Sequence, residues 1–356
     1  MSERGRRPGG ALRYPPKPAP GDRVAVLSPS AGAPARFPAP YELGLARIRQ
    51  QFGLVPVEYP TTRAPEARPE ERAADIHAAY RDPEIKAVIA SIGGEDEIKV
   101  LRHLDPDILG THLKPFFGYS DNTNLLHFLW GLGVVAYHGG AVMVQWGRPG
   151  AMHPLTEASL RRAMFDRGDW VLPAVAEYTD EEQCDWSNPA SLAAAPTLEP
   201  AAPWEWAGSA RQVAGPSWGG SLEIIDFHLR AGRYLKPLEC YDGAVLFIET
   251  SEELPPASYV YRVLLGMGER GLLQRFSALL VGRPKAVSLD NPRRPDAKAA
   301  YAHAQREAVL AAVGEYHPHL MVVFNVDFGH TDPQLAIPHG GWLQVDGVAR
   351  RITVRY

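Results

Sequence analysis

The chain has 356 residues, a length that predicts two domains. Hydrophobic residues make up 45% of it, enough for a large core, and a formal net charge of -4 argues against a general nucleic-acid binder. No apolar run approaches the length of a membrane span. Residues 1–19 are basic and rich in proline and glycine, without the apolar centre of a signal peptide, so we predict a disordered tail and a cytoplasmic protein.

Strand and helix patterns alternate after this tail. The periodicity predicts strands at 23–27, 54–57, 86–92, 116–119 and 134–137, with helices at 41–52 and 69–80. Such alternation is typical of a parallel sheet covered by helices, which binds ligands beyond the carboxyl ends of its strands. Ser28, the pair Gly93-Gly94, Ser120 and His138 follow such ends. We predict an α/β domain over residues 20–175.

The segment 176–215 interrupts this pattern. Its proline- and alanine-rich composition predicts a linker or an active-site loop. It also contains Trp186, Trp204 and Trp206, and a pure linker seldom carries three tryptophans. We expect part of it to cover a site, and the alternative is that the rings only fasten it to the body of the protein.

Regular patterns return over residues 216–356, the predicted C-terminal domain. They predict helices through 224–227 and at 259–267 and 299–313, and strands at 244–248, 278–281 and 321–326. Short strand patterns at 335–337, 342–345 and 352–354 indicate a β-rich end. The predicted fold class is therefore α/β with two domains, the first built on a mostly parallel sheet flanked by helices.

Ser120 lies at the corner between a predicted strand and a predicted helix. The strand leads into Gly118-Tyr119-Ser120-Asp121, and a helical pattern starts at once. A serine at such a corner presents its hydroxyl at the sheet edge, beside free amides of the first helical turn that can stabilise an anion. Asn122 replaces the usual glycine of a nucleophile elbow. Ser120 is a candidate nucleophile, and a simple helix N-cap is the alternative.

Two residues of the second half supply the partners that a serine nucleophile needs. Serine requires a base to take its proton, and a histidine does this when a carboxylate holds its other ring nitrogen. Glu249 and His330 each follow a predicted strand, which fits a Ser-His-Glu triad. Each also has a simpler explanation, because Glu249 could cap the next segment and His330 could be a turn residue. Sequence spacing does not choose between them.

Metal and nucleotide-cofactor sites have little support. His317-Pro318-His319 has no metal-site spacing around it, and the two cysteines, Cys184 and Cys240, form neither a zinc motif nor a disulfide framework. The glycine pairs match no phosphate-binding fingerprint. We expect neither a metal nor an organic cofactor.

Four sequence blocks, in order, resemble the LD-carboxypeptidase family of serine peptidases, which includes the microcin C self-immunity peptidases. The blocks are PGDRVAVLSPS at 20–30, GYSDNT at 118–123, VLFIET at 245–250 and DFGHTDP at 327–333. The resemblance implies that Ser120 is the nucleophile, His330 the general base and Glu249 its orienting partner. It further implies two α/β domains with the active site between them, commonly as a homodimer.

The resemblance also implies an oxyanion hole made by backbone amides of Asp121 and of the Gly93-Gly94 turn, in which Gly94 is the preferred member. Ser91-Ile92-Gly93-Gly94-Glu95 stands where murein-trimming members often carry Arg-Gly-Gly-Tyr-Gly. This departure directs attention to another branch of the family.

The tryptophan-rich segment is more similar to the microcin C immunity branch, in which an aromatic loop stacks on the nucleoside of an aminoacyl-adenylate analogue. That similarity implies substrate binding by Gly93, Trp204, Trp206 and Ser221. Ser221 follows Gly219-Gly220, where the family usually has asparagine, so a side-chain contact to the substrate differs here.

The predicted function is that of a serine peptidase or amidohydrolase that cleaves the amide bond of an aminoacyl-nucleotide or peptidyl-nucleotide substrate. One alternative is an LD-carboxypeptidase that trims murein tetrapeptides at L,D bonds. An alternative of another class is a catalytically silent module that binds a peptide or nucleotide, against which the three intact triad residues argue. We expect a small-molecule substrate and a homodimer, and no nucleic-acid or membrane partner.

Overall fold

The computed structural model describes residues 12–180, 184–288 and 291–356. The first part of the chain alternates strands with helices, as predicted. Its elements are β1 (Arg23–Leu27), α1 (Pro38–Gln50), β2 (Val55–Glu58), α2 (Pro69–Arg81), β3 (Ile85–Ala90), α3 (Ile98–Leu101), α4 (Pro106–Thr111), β4 (Phe116–Gly118), α5 (Thr123–Gly131), β5 (Ala136–His138) and α6 (Pro154–Phe165).

The second part contains more strands. Its elements are β6 (Asp169–Val171), β7 (Glu177–Tyr178), β8 (Glu199–Pro200), β9 (Glu205–Ala207), β10 (Gln212–Ser221), α7 (Leu222–Ala231), β11 (Val245–Glu249), α8 (Ala257–Glu269), β12 (Ala278–Gly282), α9 (Pro295–Tyr316), β13 (Met321–Val326), β14 (Ile337–His339), β15 (Trp342–Asp346) and β16 (Arg351–Arg355). Within the described ranges, no helix combines the length and the apolar character that crossing a membrane requires.

Two large sheets organise the molecule. The first has the order β14-β5-β4-β3-β1-β2, and all its pairs are parallel except β14 with β5. The second has the order β6-β16-β15-β10-β11-β12-β13-β9, with a parallel centre over β10–β13 and antiparallel pairs on both sides. The predicted fold class, including the β-rich end of the second domain, is confirmed.

Strand β1 shows why the first sheet lies between two helical layers. Successive side chains of a strand point to opposite faces, so an apolar run is stable only when both faces are covered. Val24 and Val26 pack in one cluster with residues of α1, whereas Ala25 and Leu27 pack in another with residues of α2. This arrangement leaves the carboxyl edge of the sheet as the place for a site.

The segment 327–336 joins the two sheets. It leaves β13 in the second sheet and leads into β14, which pairs with β5 of the first. Gln334 fastens it there, because its Oε1 accepts from the Gly140 amide at 2.8 Å and its Nε2 donates to the Gly329 carbonyl at 2.6 Å. Arg148 adds an ion pair with Asp332 at 2.7 Å. The segment that contains His330 therefore lies against the first domain.

Two predicted irregular segments contain more structure than their composition suggests. Residues 1–11 of the predicted tail lie outside the described residues, but from Leu12 the chain packs on the first domain, where Arg13 forms a bridge with Val134. The predicted linker 176–215 contains β7, β8 and β9 and the start of β10. Asp180 ties this segment to α9 through Lys298 at 2.6 Å.

Candidate active site

Ser120 occupies a strained corner between β4 and α5. Its backbone φ is +60°, in the left-handed region that residues other than glycine seldom adopt, and it opens a short 3-10 turn over Ser120–Asn122. This is the local geometry of a nucleophile elbow. Asn122, in place of the usual glycine, has a local role, since its Nδ2 donates to the carbonyls of Ile92 and Tyr119 at 3.0 and 3.1 Å.

The neighbouring Asp121 fixes this corner with its buried side chain. Its Oδ2 accepts from the Ser30 hydroxyl and from the Glu97 amide, the latter at 2.9 Å, and its Oδ1 accepts from Asn124 at 2.8 Å. The carboxylate is thus engaged in structure, and any contribution of Asp121 to catalysis would come from its backbone amide.

Gly93 lies directly against Ser120. A Cβ atom at Gly93 would be 3.0 Å from Cβ and 3.1 Å from Oγ of Ser120, and 3.6 Å from the Asp121 amide nitrogen. A Cβ atom at Gly94 would instead collide with the Ser30 hydroxyl. Close approach therefore favours glycine at position 93 and leaves no room for a Cβ atom at position 94 without a shift of Ser30. The oxyanion role of the Asp121 and Gly94 amides stays a prediction.

Glu249 and His330 are in direct contact. Nδ1 of His330 lies 2.5 Å from Oε2 of Glu249, with the side chains 8% and 1% exposed. Gly329 makes room for the carboxylate: its φ is +95°, and a Cβ there would lie 2.8 Å from Oε2. The glycine of the DFGH block is thus required by the position of Glu249.

Electrostatics support a charged pair. Burial alone would raise the pKa of Glu249, but His330, and then His138, outweigh it and lower the pKa to about 2. Burial would likewise lower the pKa of His330, but the carboxylates of Glu249 and Glu252 raise it to about 9. In this state the imidazole is cationic at neutral pH.

The second ring nitrogen of His330 points to a carboxylate. Nε2 lies 3.1 Å from Oε2 of Glu252, whose side chain is 53% exposed. The hydrogen bonds of the described residues include none between Ser120 and His330, although the ring of the adjacent Tyr119 lies 5.0 Å edge-on from the His330 ring. A triad requires Nε2 to face Ser120, and this contact stays a prediction, because in this structure Nε2 is paired with Glu252. Sequence reasoning missed Glu252.

The sequence placed His138 at a strand end but gave it no role, since a histidine there is more often a satisfied polar residue than a catalyst. It is fully buried, and its Nε2 lies 3.5 Å from Oε1 of Glu249. Glu249 thus lies between two histidines. The available sequence signal was its position: His138 ends the strand next to the one that leads to Ser120.

The tryptophans of the predicted loop pack on the body. Nε1 of Trp204 donates to Asp327 at 2.8 Å, Trp206 lies in β9 opposite Val323 of β13, and Trp186 packs edge-on against Phe37 at 5.8 Å. Contact with a substrate, predicted for Trp204 and Trp206, has no direct support in this geometry and stays a prediction.

Ser221 lies beside Glu249 in the parallel pair of β10 and β11. Its amide donates to the Thr123 hydroxyl oxygen at 3.1 Å, and its own hydroxyl donates to Glu223 at 3.0 Å. Ser221 therefore connects the second sheet to the first helical turn after Ser120. Its predicted contact with a substrate stays a prediction.

Two family models match this chain. Residues 24–139 match the LD-carboxypeptidase N-terminal domain, and residues 214–345 match the LD-carboxypeptidase C-terminal domain. The chain belongs to the LD-carboxypeptidase family. The resemblance found in the four sequence blocks is confirmed, and with it membership of a peptidase family.

Individual relatives agree with this assignment. A putative carboxypeptidase of Vibrio cholerae is 24% identical over 329 residues, covering 90% of this chain and 91% of the relative. The probable murein peptide carboxypeptidase of Bacillus subtilis is 32% identical over 180 residues, covering 48% and 52%. Among solved structures, MccF in complex with glutamyl sulfamoyl guanosine superposes with a TM-score of 0.79 at 20% identity, covering 96% of this chain and 98% of that one. The last likeness shows a shared fold.

Proposed function

We propose that this protein is a serine hydrolase in which Ser120, His330 and Glu249 form the catalytic triad. Ser120 Oγ attacks an amide carbonyl while Nε2 of His330 takes its proton, and Glu249 holds the ring by Nδ1. The tetrahedral oxyanion is stabilised by the amides of Asp121 and Gly94. The protonated His330 then gives its proton to the leaving amine, and water releases the acyl group by the same route.

The observation that carries this proposal is the buried contact of 2.5 Å between Glu249 and His330, next to the segment that contains Ser120. In a triad, a carboxylate in this position orients the imidazole and stabilises the imidazolium that forms when the histidine takes the serine proton. The positive φ of Ser120 supports the nucleophile independently, because backbone strain at a strand-to-helix turn is typical of such serines.

For the substrate, we propose an amide that joins an aminoacyl or peptidyl group to a nucleotide. The support is the likeness to MccF, which is known in complex with glutamyl sulfamoyl guanosine, and the tryptophans of the segment 176–215. A base can stack on an exposed aromatic face, which contributes about 1–3 kcal/mol per base.

One observation favours the alternative, an LD-carboxypeptidase acting on murein peptides. The indole of Trp204 is held by Asp327, and Trp206 is part of a sheet, so both rings are committed to the body of the protein. The likeness to the murein peptide carboxypeptidase of Bacillus subtilis agrees with this alternative. Both substrates require the same triad.

A fluorophosphonate probe tests the triad without knowledge of the substrate. We expect the wild type to be labelled at Ser120, and we expect Ser120→Ala to lose labelling and turnover, by on the order of 10⁴ to 10⁶ in rate. Ser187→Ala, which changes an exposed serine in the loop, is the matched control and should behave as the wild type. Substantial turnover by a well-folded Ser120→Ala protein would exclude Ser120 as the nucleophile.

A panel of substrates tests the second half of the proposal. It comprises an L-Lys-D-Ala murein peptide, a D,D peptide as control, and glutamyl- and aspartyl-sulfamoyl-adenosine. Preferential hydrolysis of the sulfamoyl-adenosines supports the nucleotide substrate. Preference for the L,D peptide would replace it with the carboxypeptidase function, and binding without hydrolysis or probe labelling would indicate a silent binding module.

A further inference from the structure

We infer that His138 is a positioning residue of this site, in which Nε2–H holds Oε1, the second carboxylate oxygen of Glu249. Glu249 would then be fixed between two imidazoles, with His330 on Oε2 and His138 on Oε1. The inference rests on the proposed triad, and it adds a residue that the triad itself does not require.

The first support is that these buried atoms have no other partner. The His138 side chain is fully buried, and neither its ring nitrogens nor Oε1 of Glu249 form another hydrogen bond within the described part of the chain. Their separation of 3.5 Å is at the outer limit of a hydrogen bond. A buried polar atom without a partner is costly, so a small closure that joins the two atoms is favoured. Contacts of catalytic groups are often loose before a substrate binds.

The second support is the way in which the ring is held. The strand pairing places His138 opposite Gly118 on one side and Ile337 of β14 on the other. Three aromatic rings then surround the imidazole: Tyr119 at 6.1 Å, Phe247 at 5.3 Å and Phe328 at 6.2 Å. Tyr119 precedes the nucleophile, Phe247 lies on the strand of Glu249, and Phe328 is in the block of His330. The ring is thus fixed by all three catalytic segments.

This position gives His138 a defined physical effect on Glu249. A donor on Oε1 keeps the carboxylate from rotating and shares its negative charge. Without that donor, Oε2 would attract the His330 proton more strongly, so the pKa of His330 would rise and less of it would be free to act as a base. The orientation of its ring would also be less restricted. Both effects lower the chemical rate and leave substrate binding unchanged.

The test compares His138→Gln with His138→Asn. The amide nitrogen of glutamine can reach the place of Nε2, whereas the shorter asparagine reaches only the place of Nδ1. We expect the glutamine variant to retain kcat within about 3-fold, and the asparagine variant to lose 10-fold or more in kcat with KM within 2-fold. The acidic limb of the pH profile of kcat/KM should move to higher pH in the asparagine variant only. His339→Phe changes another fully buried histidine and is the control for core packing, because the ion pairs of Glu249 in the described part of the chain are with His138 and His330 and not with His339.

Equal losses in the Gln and Asn variants, an unchanged acid limb, or the same shift in His339→Phe would overturn the inference and leave His138 as a core residue. Asn leaves a larger cavity than Gln at this buried position, so a melting curve of each variant is needed to separate a loss of stability from a loss of the contact with Glu249. Labelling of wild-type Ser120 by the fluorophosphonate decides the triad separately, so a failure of one proposal is distinguishable from a failure of the other.

Discussion

Replacing Glu252 by glutamine removes the carboxylate that occupies Nε2 of His330, the nitrogen that the proposed mechanism requires for catalysis. The two atoms are 3.1 Å apart, and the Glu252 side chain is 53% exposed. An ion pair with such exposure contributes about 0.2–1 kcal/mol, which corresponds to ~0.2–0.7 unit in the pKa of His330. The sign follows from the charge: losing an anion destabilises the imidazolium, so the pKa falls from its raised value of about 9.

The expected result is a faster reaction at neutral pH. Only neutral His330 acts as a base, and well below its pKa the neutral fraction rises tenfold for each unit by which the pKa falls. Glu252→Gln should therefore raise kcat/KM at pH 7 about 1.5- to 5-fold. It should also move the acidic limb of the pH profile of kcat/KM to lower pH by ~0.2–0.7 unit. The rate of fluorophosphonate labelling between pH 5 and pH 10 measures the same limb without a substrate.

Glu253→Gln is the matched control, because it removes the same charge one residue along the chain. Since Glu253 forms no ion pair with His330 among those of the described residues, its effect should be less than half as large. An acid limb that does not move in Glu252→Gln, that moves to higher pH, or that moves equally in both variants would refute the reasoning.

Three further changes test the supports of the site. Gly329 has a φ of +95°, and the Cβ of Gly329→Ala would lie 2.8 Å from the triad carboxylate, so this variant should lower kcat/KM at least 10-fold. Gly110→Ala, whose Cβ would meet no atom within 4 Å, is the control and should leave kcat/KM unchanged. Arg283→Met removes the cationic partner of the buried Asp327 carboxylate. It should lower the free energy of unfolding, measured in urea, by about 3 kcal/mol, and adding Asp327→Asn should recover most of this loss. Trp204→Ala should weaken binding of an aminoacyl-sulfamoyl-adenosine roughly ten-fold and have little effect on binding of a murein peptide. Trp204→Phe should give an affinity between those of the wild type and the alanine variant. Equal losses of affinity for both ligands would exclude the stacking role.

The sequence predicts the alternating part of the fold well because burial imposes a simple pattern there. Strands such as β1 are covered on both faces, so they appear as short continuous apolar runs, and the helices between them show apolar periodicity. The glycine pair and Ser120 could be assigned to the carboxyl edge for the same reason. Family resemblance supplied the pairing of Glu249 with His330, which spacing alone left open.

Strand β10 was not predicted, and the reason is physical. Its sequence contains Gly215, Pro216, Gly219 and Gly220, residues that are depleted in strands. A Cβ at Gly219 would collide with the carbonyl of Phe247, so the close approach of β11 demands glycine there in spite of its low strand propensity. Tertiary contact overrides local preference, and a single sequence does not reveal such contacts.

The parts of the site that sequence reasoning missed are also defined by contact. His138 and Glu252 belong to no motif, and each matters because of one distance, 3.5 Å to Glu249 and 3.1 Å to His330. The first of these distances depends on how the two sheets are joined, because His138 comes from the first sheet and Glu249 from the second, whereas Glu252 and His330 follow two strands of the second sheet. The sequence pattern of a strand places a residue at the edge of its own sheet, but it does not show which residues of the other sheet will face it.

The joining segment 327–336 links formation of the site to docking of the two domains. Glu249 is almost completely buried, and a carboxylate in such a place is strongly destabilising without a cationic partner. Its partner His330 is carried on the segment that ends in β14, and β14 pairs with β5, the strand of His138. Pairing of β14 with β5 therefore brings both His330 and His138 next to the carboxylate of Glu249. It follows that the charge on Glu249 is compensated only in the assembled protein, so the triad is expected to form as a unit with the interface between the sheets.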